Sequence, residues 1–482
     1  MLTPARRIGE LLGISERSSL LVFAAGLVAV GISVALSTRM NLLVQVVGIV
    51  VALLALLISL RWPLLPLFIL AFLIPIEDAI VLGGLGTVSR IAELLLIVSY
   101  GLPRLGRLTM TAMPLAGWAY MGWAALSVGW AIDPSVTLQE LPTLGLLFAT
   151  AVLVASAVVD RPSIVRPVLW VYALSAAVTA VIGVAGYLRG GIGAADRVAA
   201  LAGQDPNYFA AFLLPAIVFT FYELLHGRRV ALAAVVVVVC ALGIILSGSR
   251  GAWLSATVVA VLYLLPRLRP ARRVAALAVM AAALTLALQL PGVAAFVAAR
   301  TDIALSSGGA GRTDIWSVGL LIYGSAPVTG VGLANFPVAF TPARMREADV
   351  TIASYRPANR PAHNIVIGTL GELGTIGLVI LVLFVAPLLL RTGWGPDAAA
   401  VQAVLASLAT MALFIDLYNR KQVWLILGIA GGLAYLARRT STEATAGGQP
   451  GGARPGHGGD PEPGIAAPNP GRRPAPRGGL LA

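Results

Sequence analysis

The sequence predicts an all-α, polytopic membrane protein with about 12–14 transmembrane helices and one long extracytoplasmic loop. Hydrophobic residues make up 58% of the 482 residues and charged residues 11%, against about 25% in a typical soluble domain. Apolar runs of roughly 20 residues, the length that crosses a bilayer, recur along most of the chain. A water-soluble globule cannot bury so much apolar surface. The composition therefore excludes a soluble enzyme, a disordered chain and a fibrous repeat.

The candidate spans follow one another with polar or Pro/Gly-rich connections. Two of them are short, Pro63–Ile76 and Ile91–Leu102, and can form one re-entrant hairpin, which would leave 12 spans instead of 14. No cleavable signal peptide is expected, because a second apolar run follows the first within a few residues. In order, the spans are Leu20–Leu36, Leu42–Leu60, Pro63–Ile76, Ile91–Leu102, Met113–Ala131, Leu141–Val159, Val168–Tyr187, Tyr208–Leu225, Val230–Leu246, Ala252–Leu265, Val274–Leu290, Asn364–Leu390, Ala398–Ile415 and Val423–Ala437.

Basic residues indicate the orientation of these spans. With the N-terminus inside, 17 arginines fall in inner segments and 7 basic residues fall in short outer loops. Such a bias is typical of the cytoplasmic loops of membrane proteins. Most of the net charge of +13 is then explained by membrane insertion, so no nucleic-acid partner is expected.

Two regions depart from the pattern of short hairpins. The segment 291–362 is placed outside by the charge count, and its apolar stretches Ile315–Tyr323 and Val328–Phe340 indicate that it is folded. Residues 440–482 are rich in Gly, Pro and Arg, which is typical of a disordered tail. We therefore expect a membrane domain over 1–439 and a disordered cytoplasmic tail over 440–482.

Polar residues inside or beside a membrane are energetically unfavourable, so they point to function. Arg250 lies in the turn Ser247–Gly251, where small residues leave backbone N–H groups and hydroxyls free to cradle a phosphate. The alternative is an arginine that only reaches toward the lipid headgroups. Both interpretations stay open from the sequence.

Two further candidates lie in and after the long loop. Arg312 and Trp316 are four residues apart and share a face if the segment is helical, although a surface amphipathic helix would show the same spacing. His363 lies at the predicted outer boundary, directly before the last long span. A lone histidine is usually structural, but nearby arginines would lower its pKa and keep it a neutral base at pH 7.

Gly371, Gly374 and Gly377 recur every third residue in that span. This spacing favours close helix packing, as small residues generally permit in membranes. Glu372 lies among them, deep in the span. In a regular helix Glu372 and His363 would face opposite ways. Glu372 is therefore predicted to form a helix–helix hydrogen bond and not to assist the histidine.

The polar inventory favours a diphosphate substrate. The sequence shows no acidic, histidine or cysteine pattern with metal-ligand spacing, so neither a metal nor another cofactor is expected. Arginine binds phosphates through paired N–H groups, and a histidine can deprotonate an attacking hydroxyl. Because a diphosphate is a good leaving group, arginines that stabilise its charge can replace a general acid.

The order of these motifs resembles the O-antigen ligase and polymerase superfamily. The resemblance covers about 208–390 and rests on Ser247–Gly251, on Gly-Arg-x-x-x-Trp at 311–316, and on His-Asn at 363–364 followed by Leu-Gly-Glu-Leu-Gly at 370–374. It implies a metal-independent glycosyltransferase of a bacterial cytoplasmic (inner) membrane. Such an enzyme moves a glycan from an undecaprenyl diphosphate-linked donor to a lipid, glycan or protein acceptor at the extracytoplasmic face.

The resemblance also assigns residues. It makes His363 the catalytic base and Arg250 and Arg312 donor ligands, with Arg356 or Arg360 as a further phosphate contact. Attack of an acceptor hydroxyl on the anomeric carbon implies inversion. A polymerase of lipid-linked repeat units uses the same donor site. A transporter or flippase of lipid-linked sugars would also use a basic rim, but its charges are expected near the midplane, and a purely structural subunit is the third alternative.

Overall fold

The computed structural model describes residues 53–79, 87–190, 197–199, 204–289, 293–295, 297–298, 302, 312–350, 360–390 and 395–447. Within these ranges the chain is helical and contains no β-strand, which confirms the all-α class. The predicted span Leu20–Leu36, the first part of Leu42–Leu60 and residues 448–482 lie outside the described residues.

The first half of the described chain contains a helical segment at residues 53–61, followed by five α-helices. Asp133 caps the fourth of them, since its carboxylate accepts a hydrogen bond from the Ser135 backbone N–H at 2.9 Å. The second continues in a π-helical turn, Ile97–Gly101, and a 3₁₀ turn, Leu102–Arg107. The five helices are α1 (Leu65–Leu73), α2 (Val88–Leu96), α3 (Leu115–Leu126), α4 (Pro134–Asp160) and α5 (Val165–Gly190).

The next four helices contain the centre of the bundle. They are α6 (Pro206–Leu225), α7 (Val230–Leu246), α8 (Arg250–Val258) and α9 (Pro270–Gln289). Helix α6 packs against α5, α7 and α8, and Phe209, Phe212 and Phe219 on it are fully buried. A helix that is apolar on all sides is expected at the centre of a membrane bundle.

The described part of the long loop is folded, as predicted. It forms α10 (Arg312–Ser325), α11 (Phe336–Ala339) and α12 (Pro342–Glu347). These helices share a small apolar core of their own, with Ile315, Ile322, Phe336, Phe340 and Met345 among its members. Three helices complete the described chain, α13 (Ile365–Leu390), α14 (Pro396–Met411) and α15 (Lys421–Gly447). The first residues of the predicted tail, 440–447, thus belong to the last helix.

Four described helical segments are long and apolar enough to cross a membrane. They are Pro134–Asp160, Pro162–Arg189, Pro206–Leu225 and Ile365–Leu390, which supports a polytopic membrane protein. Other predicted spans coincide with shorter helices, such as α7, or with helices divided by turns, such as α8 with its π-helical extension Val259–Leu264. Within the described residues the predicted apolar runs therefore coincide with helices, although several of these helices are shorter than a full span or are divided by turns.

Helix α13 is interrupted at Gly374, whose φ of 69° and ψ of −168° are not helical. Backbone groups freed by the break pair with the segment between α10 and α11, which satisfies the requirement that buried backbone polar groups find partners. The Val331 N–H donates to the Gly371 carbonyl at 2.9 Å and the Gly332 N–H to the Glu372 carbonyl at 2.8 Å. In the other direction, the Thr375 N–H donates to the Pro327 carbonyl at 2.9 Å and the Ile376 N–H to the Val328 carbonyl at 3.4 Å.

The break corrects the interpretation of the three glycines. Gly371 does allow close helix packing, because a Cβ there would lie 2.9 Å from the Phe336 ring. Gly374 serves a different purpose: its positive φ interrupts the helix, and a Cβ would lie 2.2 Å from the Val328 carbonyl oxygen. The helix-to-helix hydrogen bond predicted for Glu372 is a contact with the start of α11, where its carboxylate accepts from the Phe336 N–H at 3.3 Å.

Candidate active site

His363 lies directly before α13 in a left-handed backbone conformation, with φ of +50°. Asn364 follows it and caps the helix, because its side-chain oxygen accepts from the N–H groups of Val366 and Ile367 at 2.8 and 3.1 Å. The non-helical residues 360–362 and helix α13 therefore meet at the histidine. Its half-buried side chain is presented at the end of a rigid element and not within a loop.

Asp416 anchors the histidine from another part of the chain. The His363 backbone N–H donates to an Asp416 carboxylate oxygen at 2.8 Å, and Asp416 is only 9% exposed. Asn364 ties to the same connection between α14 and α15, since its side-chain NH₂ donates to the Leu413 carbonyl at 3.0 Å. The conformation of His363 is thus held by a residue 53 positions away in the sequence.

Arg312 and Trp316 do lie on one helix, as their spacing predicted. Helix α10 begins at Arg312, and the Trp316 indole N–H donates to the Ala362 carbonyl at 3.2 Å. Because Ala362 directly precedes His363, this bond fixes α10 beside the histidine. Arg312 interacts electrostatically with His363 and with Arg250, so the two predicted arginines and the imidazole occupy one neighbourhood.

The turn that carries Arg250 is closed by glycine and packed tightly. Gly248 has a φ of +61°, and α8 begins at Arg250. A Cβ on Gly251 would lie 2.7 Å from Phe414, so only glycine allows this turn to approach the connection that holds Asp416. Among the described residues, the buried Ser249 hydroxyl has no hydrogen-bond partner. With the unpaired N–H groups of the first turn of α8, it can receive an anion.

The start of α6 joins the same turn. Asp205 caps α6 by accepting from the Asn207 N–H at 2.6 Å. The Arg197 guanidinium donates to the Ser247 carbonyl at 2.8 Å and to the Asn207 side-chain oxygen at 2.7 Å. The sequence assigned no role to the Asp-Pro-Asn segment. In the structure it holds the Ser247–Gly251 turn in place, and Asp205 adds a negative charge near Arg312 and His363.

Burial and neighbouring charges shift the titration of the site. Desolvation by burial is the main cause that lowers the pKa of His363, and Arg312 and Arg360 lower it further, while Asp416 and Asp205 oppose them. Desolvation and the nearby Arg250 likewise lower the pKa of Arg312. A pKa lowered from the ordinary histidine value favours the neutral imidazole at pH 7, the form that can accept a proton.

Of the predicted site residues, Arg250, Arg312, Arg360 and His363 form one electrostatic cluster. Arg356 lies outside the described residues. Arg344, another arginine of the loop, has a structural role, since it donates to the Ala339 carbonyl at 2.7 Å. In the ranges that the structure covers, no group of three or more His, Cys, Asp or Glu side chains could hold a metal ion.

Sequence reasoning missed the connection between α14 and α15. Asp416 was not singled out there, and Arg420 was counted only as a loop charge. The Arg420 guanidinium lies 3.6 Å from the centre of the Tyr208 ring, a cation–π contact. A polar run from Asp416 to Lys421 between two apolar segments was the available signal. It had no recognisable spacing that would connect it to His363.

Two cavities adjoin the cluster. A polar cavity of about 170 Å³ is lined by residues that include Tyr208, Glu372, Asp416 and Asn419. An apolar groove of about 520 Å³ runs between α6, α7, α8 and α9. Trp253, which lies three residues after Arg250, belongs to the groove lining. About one turn of helix therefore separates Arg250 from the apolar groove.

The family model described as O-antigen ligase matches residues 235–382. This match confirms the resemblance to the O-antigen ligase and polymerase superfamily predicted from the motifs. The matched segment contains Arg250, Arg312 and His363, whereas Asp205 and Asp416 lie outside it. No curated protein matches the chain. The matched segment covers less than half of the 482 residues.

Proposed function

We propose that this protein transfers a glycan from an undecaprenyl diphosphate-linked donor to an acceptor hydroxyl at the extracytoplasmic face of a bacterial cytoplasmic membrane. The family match supports this type of reaction. The excess of arginines in the inner segments supports an N-terminus on the inner side. The end of the bundle that carries His363 then faces outward.

One observation carries the proposal: charges from three separate segments act on one another here, Arg312 and Arg360 on the half-buried His363, and Arg250 on Arg312. Arg250 begins α8, Arg312 begins α10, and Arg360 precedes α13. Mutually repelling cations gathered in a partly buried place indicate an anionic ligand, because otherwise their burial is unfavourable. A diphosphate provides two adjacent anionic groups that arginine pairs can bind, and Arg356 is a further candidate ligand.

The apolar groove supplies a place for the lipid of the donor. Trp253, Ala256 and Ala260 lie on one side of α8 and its extension, and they line the groove beside α9. A polyprenyl chain laid along this groove would put its diphosphate at Arg250. A polar head bound at a helix start, with a hydrocarbon tail along the same helix, matches the chemistry of a lipid diphosphate.

In the proposed reaction the acceptor hydroxyl attacks the anomeric carbon of the donor sugar. The bond between that carbon and the diphosphate oxygen breaks, and undecaprenyl diphosphate leaves with the bonding electrons. His363 takes the hydroxyl proton, for which its neutral form is required. Arg250, Arg312 and Arg360 stabilise the negative charge that develops on the diphosphate. A single displacement of this kind inverts the anomeric configuration.

Reconstituted transfer tests the proposal. Full-length protein in lipid nanodiscs is supplied with a defined undecaprenyl diphosphate glycan and candidate acceptors, and the product is separated and weighed by mass spectrometry. We expect transfer that persists in chelator, an inverted linkage, and loss of transfer in His363→Ala. Full transfer by that variant would remove the proposed base, and unchanged donor dependence in both Arg250→Ala and Arg312→Ala would remove the proposed diphosphate site.

A polymerase of lipid-linked repeat units is the second candidate function, because the family match covers both activities. The two differ only in the acceptor, so the same assay separates them. A transporter or flippase of lipid-linked sugars is the candidate from another class. It predicts that His363→Ala still moves a fluorescent lipid-linked sugar across liposome membranes, whereas the enzyme proposal predicts no such movement in any variant.

A further inference from the structure

A second polar cavity, of about 310 Å³, lies between α2, α4 and the start of α15. This size falls at the lower end of the range for small-ligand pockets, roughly 300–1,000 Å³. Glu77, Glu93 and Glu140 line it, together with Arg90, Arg420 and Lys421. The lining thus holds three carboxylates against three cations, while the cluster around His363 is dominated by arginines.

Some of these side chains serve to hold the helices together. Lys421 donates to a Glu77 carboxylate oxygen at 2.8 Å and to the Thr87 hydroxyl at 3.1 Å. The Arg90 guanidinium donates to the Thr143 hydroxyl at 3.0 Å, which joins α2 to α4. These bonds account for the ion pair and for one contact of the arginine. They do not account for the remaining carboxylates.

Glu93 and Glu140 have oxygens with no hydrogen-bond partner among the described residues. Glu93 is only 1% exposed, yet both of its carboxylate oxygens lack a partner, as does one oxygen of Glu140. A buried polar atom without a partner is unfavourable by roughly 1–3 kcal/mol, so native proteins seldom leave one without a reason. Both glutamates line the cavity, and a ligand there would supply the missing donors.

This cavity shares the lining residue Asn419 with the smaller cavity beside the candidate active site. Asp416 also lines the smaller one. Arg420 lines the first cavity and stacks on Tyr208, which lines the second. A molecule bound against Glu93 would therefore extend along Asn419 toward the connection that holds His363.

We propose that this cavity, lined by Glu93, Glu140, Arg90 and Thr143, binds a neutral, hydroxyl-rich sugar of the acceptor. Sugar hydroxyls both donate and accept hydrogen bonds, so they suit a lining in which carboxylates and cations alternate. A phosphate would meet three carboxylates there and is disfavoured. The cavity also lies outside the segment that matches the family model, residues 235–382, as expected where the acceptor differs among members that share a donor.

This inference rests on the proposed function, and kinetics test it first. Glu93→Gln should raise the acceptor KM by roughly tenfold or more, the loss expected for one hydrogen bond to a charged group, while the donor KM stays unchanged. The matched control is Glu223→Gln, because Glu223 is also a buried glutamate but lies near the C-terminal end of α6, outside the cavity lining. Both KM values should stay unchanged in this control. An equal rise in both KM values for Glu93→Gln, or no rise in either, would overturn the assignment.

A labelling experiment tests the cavity without any transfer. Cys240 is the only cysteine and is buried, so Thr143→Cys in a Cys240→Ala, His363→Ala background gives one reactive thiol in the cavity. We expect neutral oligosaccharides of two to four hexoses to slow its labelling by a water-soluble maleimide. Sulfated forms of the same sugars should protect less, and Glu93→Gln should abolish the protection. The labelling of Ser163→Cys, which is exposed in the turn after the C-terminal end of α4, should not change with sugar.

The two experiments separate the two proposals. Transfer by the wild-type protein, with no protection of Thr143→Cys by any sugar, would overturn the acceptor site and leave the proposed function standing. Protection without transfer to any acceptor would overturn the proposed function and leave a sugar site. Protection by sulfated sugars that exceeds protection by neutral ones would show that the ligand is anionic and would overturn the inference.

Discussion

At the scale of single residues, His363 combines a chemical and a conformational demand. Its φ of +50° is disfavoured for a residue with a side chain and is tolerated only where the surroundings enforce it. Asp416, in the connection after α14, accepts a hydrogen bond from the His363 N–H, and Asn364 donates to the Leu413 carbonyl in the same connection. A histidine kept in a strained conformation at the junction of separate segments indicates a requirement for its imidazole, since other residues would fit the backbone with less strain.

The variant His363→Gly separates these two demands. Glycine adopts a positive φ without strain, so the variant should fold at least as well as the wild type and gain about 1 kcal/mol in the free energy of unfolding. It should have no transfer activity. Thermal unfolding in detergent and the reconstituted assay measure the two effects. A variant that is inactive because it is unfolded would contradict this expectation.

The pH dependence of transfer should report the same residue. Activity requires neutral His363, so it is present above the pKa and lost as the pH falls through it. Because burial, Arg312 and Arg360 lower that pKa, the acid limb of kcat/KM should lie below about 6.5, the ordinary value for histidine.

Substitution of the charged neighbours of His363 should move this limb in opposite directions. Arg312→Gln removes a charge that lowers the pKa and should shift the limb to higher pH. Asp416→Asn removes a charge that raises it and should shift the limb to lower pH. Shifts of the same sign in both variants would show that the limb belongs to another group.

The candidate site was partly predictable from the sequence at this scale. Arg250, Arg312 and His363 could be selected because charged residues near a membrane boundary are rare, and the motif order joined them. Asp416 and Arg420 could not be selected. Their link to His363 runs through a backbone N–H and a ring contact, and neither leaves a spacing that a sequence pattern could show.

At the scale of elements, the interrupted turn of α13 decides how the long loop is attached. The apolar run predicted one continuous span over Asn364–Leu390, and the helix covers Ile365–Leu390. The break at Gly374 could not be seen from the pattern, because Gly371 and Gly377 look identical to it in sequence. The difference lies in the partner: only Gly374 faces the Val328 carbonyl with a positive φ.

Gly374→Ala should therefore be severely destabilising. The new Cβ would lie 2.2 Å from the Val328 carbonyl oxygen, and alanine resists a φ of +69°, so a loss of roughly 3 kcal/mol in stability is expected. Gly145→Ala is the control, since no atom lies within 4 Å of its added Cβ. That change, in the interior of α4, should be neutral or stabilising. Thermal unfolding of the two variants in detergent measures the contrast, and equal stabilities would contradict it.

At the scale of the whole molecule, the site is assembled from the ends of helices that are distant in sequence. Helices α6, α8, α10 and α13 each bring one terminus to it, and the connection between α14 and α15 closes it. The order of the described apolar segments was readable from the sequence. The meeting of these particular termini was not, because it depends on packing among helices that are nearly uniform in apolarity.

The apolar groove makes a prediction at this scale as well. Ala256→Trp would fill part of the groove beside α9 and should raise the KM for undecaprenyl-linked donors by roughly tenfold, because buried apolar contact is lost. A donor with a short prenyl chain should be less affected. Leu254→Trp is the matched control on the same helix, since Leu254 is 48% exposed and does not line the groove. Equal effects for both donors would contradict a lipid site there.

The broken turn at Gly374 also limits which parts of the protein can move relative to one another. The carbonyl and N–H groups freed by the break bind the segment between α10 and α11 to α13. This segment, α13 and His363 are therefore expected to move together as one rigid unit. Movement of this segment away from α13 would require several backbone hydrogen bonds to break at once where little water can replace them. The lipid of the proposed donor is therefore expected to enter where α8 and α9 flank the apolar groove.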